Sequence, residues 1–349
     1  MTAEFQIAGR RIGPGHPPFV ICELSGNHNG SLERALAMID AAAATGCDAI
    51  KLQTYTADTL TLDCDGPGFR IEAGPWAGRT LHDLYAEAFT PYDWHAALFE
   101  RARQRGVILF STPFDETAVE LLEGLGAPAY KIASFEVVDL PLIARVARCG
   151  KPMIISTGLA SLVEMEQALH TARSNGAAGV ALLHCVSAYP APIDEANVRT
   201  VPDLARRFGV VTGLSDHTPG TAAAVAAVAL GASIIEKHFT LARADGGPDA
   251  AFSLEPAEFA ALTRDCKAAW SALGSATYDE LGSEGAAAGH RRSLYVAAAV
   301  KAGEALTAGN VRSVRPGYGL APKHLPDILG RHAARDLKFG EPLDWSMVE

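Results

Sequence analysis

Lys51 and Lys131 each sit inside a short apolar run, DAIKLQ and AYKI. An ammonium placed in such a run is taken out of water and needs anionic company. Small hydroxyls close or follow comparable runs at Ser111, Thr112, Ser134, Ser156, Thr157, Ser187 and Ser215. Two ammonium groups among hydroxyl donors suit a ligand that carries a phosphate and a carboxylate. Schiff-base chemistry is the competing use of a buried lysine. It calls for one desolvated lysine beside a base, so the two-lysine set fits anion binding better.

His217 and His238 end two further runs, GLSDH and SIIEKH. Neutral imidazoles from neighbouring strands can hold a divalent cation, with waters in the other positions. A pair of hydrogen-bonded core histidines is the alternative, and spacing alone leaves both open. Glu23 ends FVICE, where a carboxylate needs a partner or a task. Gln53, His184, Tyr189, Asp216, Glu236 and Lys237 also stand at run ends. Asp249 follows two glycines and a proline; it suits sugar hydroxyls or a metal-bound water, or simply forms a turn. Asn27 and His28 precede the turn signal Asn29-Gly30, and shaping that turn is their plainest use.

These residues need strands to carry them. Apolar runs at 19–24, 48–53, 107–111, 129–132, 153–156, 180–184, 210–214 and 233–237 predict eight strands buried on both faces. Helical patterns follow them at 31–45, 91–104, 116–123, 140–149, 162–174, 198–208, 221–230 and 256–273, with Ser31 as an N-cap. Gly46, Gly106, Gly126, Gly150, Gly179 and Gly231 read as helix C-caps feeding the next strand. Eight β-α units over about 250 residues predict a TIM (β/α)8 barrel. An open doubly wound sheet is the alternative, but no GxGxxG follows the first strand. Catalytic groups of such barrels gather at the C-terminal strand ends, and packing alone would place Val, Ile and Leu there. Polar residues at all eight ends therefore read as an active site, which a non-enzymatic carbohydrate-binding module does not explain.

The pattern changes after Trp270. Residues 274–289 are rich in Gly, Ala and Ser and read as a linker. Residues 290–349 show short strands and turns, with nine Lys+Arg against six Asp+Glu, whereas the whole chain of 349 residues has a formal net charge of -10. No chain-wide basic footprint for nucleic acid exists, although local lysines still set the field in a cleft. Six scattered cysteines without a CxxC pair fit reduced thiols. There is no basic start leading into a long apolar run, and no stretch approaches 18 apolar residues, so neither a signal peptide nor a membrane span is expected and the cytoplasm is the expected location.

Taken in order, the stretches CELSGNHNG (22–30), KLQTYTADTLT (51–61), STPFD (111–115), YKIAS (130–134), KPMIISTG (151–158), SAYPAP (187–192), GLSDHT (213–218), EKHFTL (236–241) and GPD (247–249) resemble the N-acetylneuraminate synthase family. RRSLY (291–295) and RPGYGL (315–320) resemble its antifreeze-like (SAF) domain. The resemblance implies a TIM barrel over 1–273, a linker over 274–289 and a small β-rich SAF domain over 290–349. It implies a transferase that condenses phosphoenolpyruvate with an open-chain amino sugar. In that light Lys51, Lys131, Ser134, Ser156, Ser187 and Ser215, with Ser111 or Thr112, resemble a phosphoenolpyruvate pocket. His217 and His238 resemble the ligands of a divalent metal, Mn²⁺ foremost, with Mg²⁺ or Co²⁺ as alternatives. Glu23 resembles a catalytic carboxylate on the sugar side, beside the sugar-binding Gln53, Tyr189 and Asp249. Arg315 resembles an arginine delivered into the partner's barrel of a domain-swapped homodimer. ELSGNHNG, KLQTYTADTLTLD and FSLEP are closest to the pseudaminic acid branch, whose acceptor is 2,4-diacetamido-2,4,6-trideoxy-L-altrose; a sialic or legionaminic acid branch is the alternative. Ser187 stands where the sialic branch often has Asn.

Overall fold

The computed structural model describes residues 3–74 and 76–349, without the side chain of Ala286. The chain divides into two compact units, Met1–Gly274 and Ser275–Glu349.

The eight apolar runs become eight parallel strands that close on themselves. A hairpin, β1 (Phe5–Ile7) and β2 (Arg10–Ile12), comes first. Then follow β3 (Phe19–Glu23), β4 (Ala49–Thr54), β5 (Ile108–Pro113), β6 (Tyr130–Ile132), β7 (Met153–Ser156), β8 (Val180–Cys185), β9 (Val211–Asp216) and β10 (Ile234–His238). They pair in sequence order, and β10 returns to β3 with His238 opposite Glu23. Around them lie α1 (Leu32–Ala44), α2 (Ala57–Leu60), α3 (Leu81–Ala88), α4 (His95–Arg105), α5 (Glu116–Gly124), α6 (Leu140–Ala147), α7 (Leu162–Ser174), α8 (Thr200–Phe208), α9 (Ala222–Ala229) and α10 (Pro256–Leu273). Ser31, Asp115, Asp139 and Ser161 each accept a backbone N–H of the first helical turn, which fixes where α1, α5, α6 and α7 begin.

Strand alternation divides the buried residues into two sets. Ile21, Ala49, Phe110, Ala129, Ile154, Ala181, Leu183, Val211 and Ile234 fill the barrel's lower interior, where Phe5, Ile7 and Ile12 of the hairpin join them as a plug. Val20, Ile50, Leu109, Ile155, Leu182, Leu214 and Ile235 pack outward against the helices. Positions one pleat above the interior set therefore face the mouth.

The structure corrects the sequence reading in three places. Several strands run one or two residues further than the apolar runs, through Thr54, Pro113, Cys185, Asp216 and His238, because polar side chains at the mouth do not interrupt the backbone ladder. Gly179 is not a helix C-cap; Gly176 takes the positive φ after α7. A Cβ on Gly179 would lie 2.6 Å from Cβ of Phe5, so the glycine makes room for the plug. The hairpin, α2 and α3 were not legible as periodic segments.

In the second unit β11 (Ser293–Val296) pairs antiparallel with β12 (Val311–Val314), with single helical turns α11 (Gly285–Ala288) and α12 (Leu325–Ile328). Leu294, Val296, Val300, Leu306, Val311, Ile328, Ala333, Leu337 and Leu343 form its core. α11 falls within the stretch read as a linker. All six cysteines are free, and among the described residues no helix is long and apolar enough to cross a membrane.

The plug generates a test. Ile7 is fully buried in the barrel's lower interior. Ile7→Ala should cost about 3 kcal/mol by leaving a cavity there. Chemical denaturation of the isolated variant measures it; a loss under about 0.5 kcal/mol would show that the hairpin does not seal the barrel.

Candidate active site

Glu23, Lys51, Thr112, Lys131, Ser156, Ser215 and Glu236 occupy the inward positions above the apolar floor, and contacts join most of them. Lys51 Nζ lies 2.5 Å from Glu23 Oε2, donates to Thr112 Oγ1 at 3.2 Å, and stands 3.6 Å from Glu236 Oε1. Lys131 Nζ is also 3.6 Å from Glu236 Oε1, and the Ser215 hydroxyl donates to that oxygen at 3.5 Å. Both lysines thus share one carboxylate, and all of these groups are buried. Burial pulls the Lys51 ammonium toward a lower pKa, but Glu23 and Glu236 more than offset it and hold it above the usual lysine range. Lys131, without so close a carboxylate, is held below that range by burial. Burial pushes Glu236 up, yet Lys131 and Lys51 bring it below the ordinary carboxylate value. For Glu23 burial prevails over Lys51 and the carboxyl is raised.

The chain of contacts continues. Gln53 Nε2 donates to Glu23 Oε1 at 2.9 Å and reaches Ser25 Oγ at 3.5 Å, and Ser25 donates in turn to Asp249 Oδ2. Asp249 Oδ2 is 3.8 Å from His238 Nδ1, and burial raises its carboxyl to about 6. The ring centroids of His238 and His217 are 5.3 Å apart, and Cys185 Sγ lies 3.8 Å from His217 Nδ1. Tyr189 packs on His217 at 4.4 Å and Phe252 on His238 at 5.0 Å. Trp76 adds a third aromatic ring, 5.9 Å from Tyr189, its indole N–H donating to Pro248 O at 2.8 Å.

The imidazoles fit a cation. His217 Nδ1 is 3.0 Å from the Val186 carbonyl oxygen, which only accepts, so Nδ1 carries a proton and Nε2 is the nitrogen left with a lone pair in the neutral ring. His238 Nδ1 is buried without a hydrogen-bond partner among the described residues. Burial, then His217 and Lys51, hold its pKa well below the usual value, in the neutral form a metal requires. Burial also pulls His217 down, but Cys185 and the Val186 carbonyl bring it above its usual value, while Cys185 falls to about 7. Among the described residues no cluster of three or more His, Cys, Asp or Glu has metal-holding geometry. Two imidazoles supply only part of a coordination shell.

The serines sit on crossing loops. The Gly158 N–H donates to Ser134 Oγ at 3.2 Å. A Cβ on Gly158 would stand 2.2 Å from Ser187 Oγ and 2.9 Å from Ser134 Oγ, so only glycine lets both hydroxyls approach that backbone. The buried Ser156 hydroxyl has no hydrogen-bond partner among the described residues. The loop bearing Asp249 is tied down by Asn27, whose Nδ2 donates to Phe239 O and Ser253 Oγ at 2.9 Å each. Asp249 N donates to Asn27 Oδ1 at 3.3 Å. His28 accepts from Gly30 N and packs edge-on against Trp94. The 22–30 stretch thus anchors the site as well as supplying Glu23.

Some expected residues do not join this group. Ser111 is a correction: its Oγ bonds Thr54 Oγ1 at 2.6 Å, and Thr54 bonds His95 Nε2 of α4 at 2.8 Å. It has the parity of outward Leu109, whereas Thr112 has that of inward Phe110. His184 bonds Ala196 O, Thr157 bonds Leu183 O, and Asp216 pairs with Lys237. Arg315 belongs to the second unit, exposed just beyond β12. The sequence reading assigned no role to Glu236, Cys185, Ser25, Trp76, Phe252 or Glu136. Glu236 and Cys185 share a face with inward Ile234 and Leu183, a facing that the three-dimensional packing supplies. Glu136 follows β6 in a 3-10 turn, with Oε2 buried and unpartnered.

A closed β/α barrel with shared lysines, hydroxyls, carboxylates and an imidazole pair at its C-terminal mouth defines an enzyme of small anionic substrates. Sequence comparison makes the class specific. The chain belongs to the NeuB family, whose model matches residues 38–278, and an SAF domain matches residues 291–349. It is similar to the pseudaminic acid synthase of Campylobacter jejuni, 43% identical over 325 residues that cover 93% of this chain and 95% of that one. To the pseudaminic acid synthase of Helicobacter pylori it is 42% identical over 337 residues, covering 95% and 98%. The crystal structure of N-acetylneuraminic acid synthetase from Leptospira borgpetersenii in complex with citrate superposes with a TM-score of 0.74 at 32% identity, covering 81% of this chain and 94% of that one. The family expected from the motifs is the family found.

Glu136 gives the site a pH signature. Burial raises its carboxyl from 4.5 to about 7, with Lys131 only partly countering and Asp139 adding to the rise. The ionised form therefore opposes folding; the penalty is absent below pH 4.5, grows up to about pH 7 and is constant above. Glu136→Gln should be more stable than the parent at pH 8, by on the order of 1–3 kcal/mol, and equal to it near pH 4. Thermal unfolding across that range checks the sign. A gap that does not close in acid would contradict the assignment.

Proposed function

We infer that this chain is a pseudaminic acid synthase: it joins phosphoenolpyruvate to 2,4-diacetamido-2,4,6-trideoxy-L-altrose, with water, and releases phosphate. The observation that carries the reading is the pair of buried lysines sharing Glu236 at the barrel mouth. Near-full-length similarity to synthases of that product in two organisms supports the acceptor.

In this reading Lys51 and Lys131, with Thr112, Ser134, Ser156, Ser187 and Ser215, bind the phosphate and carboxylate of phosphoenolpyruvate. The incoming anion competes with Glu236 for both ammonium groups, and Lys131 has only its 3.6 Å contact to give up. Carbon 3 of the enol attacks the C1 aldehyde of the open-chain sugar, which forms the C–C bond and leaves positive charge at C2. Glu23, held between Lys51 and Gln53, is the carboxylate that stabilises that charge. Water adds at C2 while a proton goes to the alkoxide left on the former aldehyde oxygen, and the C–O bond to phosphate then breaks as the C2 hydroxyl becomes a carbonyl and gives its proton to the departing phosphate. Gln53, Tyr189 and Asp249 orient the sugar, while Trp76 and Phe252 keep a dry wall beside it. A divalent cation held by His217 and His238, Mn²⁺ foremost, supplies Lewis-acid polarisation of the aldehyde when bound. Holding both reactants in one mouth accounts for much of the acceleration.

We further propose a cytoplasmic homodimer in which each second unit serves the partner's barrel through Arg315. Six free cysteines support a reducing compartment. Phe135, Val138 and Leu159, on loops at the mouth, are 58%, 56% and 80% exposed, which supports a protein partner there.

A phosphate-release assay with phosphoenolpyruvate and a panel of hexosamine derivatives, followed by mass spectrometry of the acid, tests the function. Release should require the trideoxy-altrose acceptor, fall to background with EDTA and return with Mn²⁺, Co²⁺ or Mg²⁺. Full activity in chelator would remove the metal. Lys51→Ala should raise KM for phosphoenolpyruvate at least about tenfold by removing a charge-assisted contact; unchanged kinetics would remove Lys51 from the pocket. The swap has its own test. At phosphoenolpyruvate concentrations where Lys51→Ala and Arg315→Ala chains are each impaired, mixing them should raise activity above either alone, because one barrel of each mixed dimer regains both groups. Mixtures no more active than their parents would rule the exchange out.

A further inference from the structure

Asp216 and Lys237 immediately precede His217 and His238, and strand alternation sends their side chains the other way, into the layer between barrel and helices. There they form an ion pair, Lys237 Nζ to Asp216 Oδ2 at 2.7 Å, with both side chains 1% exposed. The second carboxylate oxygen accepts from Thr218 N at 2.9 Å and from Thr218 Oγ1 at 2.8 Å. Lys237 Nζ donates again, to Thr218 O at 2.6 Å. The Asp216 carboxylate thus bridges across His217, and the Lys237 ammonium fastens that bridge to the strand carrying His238.

The ladder explains why a fastening is needed here. Pairing between β9 and β10 ends at Lys237 opposite Asp216, so the two histidines lie beyond the last registered pair. His217 is tied to the β8 side, through its ring on Val186 O and its carbonyl oxygen accepting from Ala191 N. Beyond that last rung, the Asp216–Lys237–Thr218 side-chain contacts link the segment carrying His217 to β10. A buried ion pair is a poor route to stability, since apolar residues of similar volume usually do as well. Its worth here is geometric. We propose that Asp216 and Lys237 are positioning residues that set the separation and aim of the His217 and His238 rings for a divalent cation. The proposal rests on the reading of those rings as cation ligands.

The test is Mn²⁺ binding to the purified full-length protein, followed by electron paramagnetic resonance of free Mn²⁺. Asp216→Asn and Lys237→Met should each raise the Mn²⁺ dissociation constant about tenfold to a hundredfold, the range for partners that orient metal ligands. KM for phosphoenolpyruvate should stay within about twofold in both, since neither side chain faces the mouth. Thr218→Val, which deletes one hydroxyl bond, should raise the constant about threefold, and Thr218→Ser should restore the parent value. Mn²⁺ affinities unchanged in all three disrupting variants would overturn the positioning role while leaving the cation reading intact. If the two charge variants fail to fold, unchanged affinity in Thr218→Val alone overturns it. A parent protein that binds no Mn²⁺ overturns the cation reading and this proposal together.

Discussion

Two ammonium groups held inside a barrel around one carboxylate are the constraint that the rest of the structure serves. Removing any one member would strand a buried charge, at a cost of several kcal/mol. Such a cluster survives only where the surrounding strands cannot move apart, and a closed ring of eight parallel strands gives that rigidity on every side. The apolar floor beneath and the aromatic wall of Tyr189, Phe252 and Trp76 beside it keep the local dielectric low. That same environment separates the two lysines, one held above its ordinary proton affinity and one below.

Two kinds of support surround this centre. Bonds from inside the mouth, such as Gln53 to Glu23 and Ser25 to Asp249, link groups that face a ligand. Bonds from outside it, such as Asn27 to Ser253, brace the loops and strand ends that carry those groups. The outer contacts are wholly buried and involve residues adjacent in sequence to functional ones. This adjacency explains why motifs in the chain are longer than the set of side chains that face the mouth.

The barrel was legible in the sequence because doubly buried parallel strands appear as unbroken apolar runs, and the polar residues at their ends marked the mouth. The facing of those residues was not legible. In a run such as VILFS both faces are apolar, so nothing in the string tells whether Ser111 or Thr112 points inward; the neighbours Leu109 and Phe110 decide it only in three dimensions. The same ambiguity gave equal weight to inward Glu236 and outward Asp216. Trp76 and Glu136 reach the site from loops, where no period announces an approach. The hairpin escaped notice because three-residue strands carry too little pattern.

The hairpin plug leaves the barrel a cul-de-sac. On β4, Lys51 lies two residues below Gln53, so a molecule resting on Gln53 and Asp249 roofs over one resting on the lysines. Both reactants and both products must share a single doorway. On the proposed assignment, the position at the lysines is the deeper of the two, and it can fill or empty only while the position above it stands open.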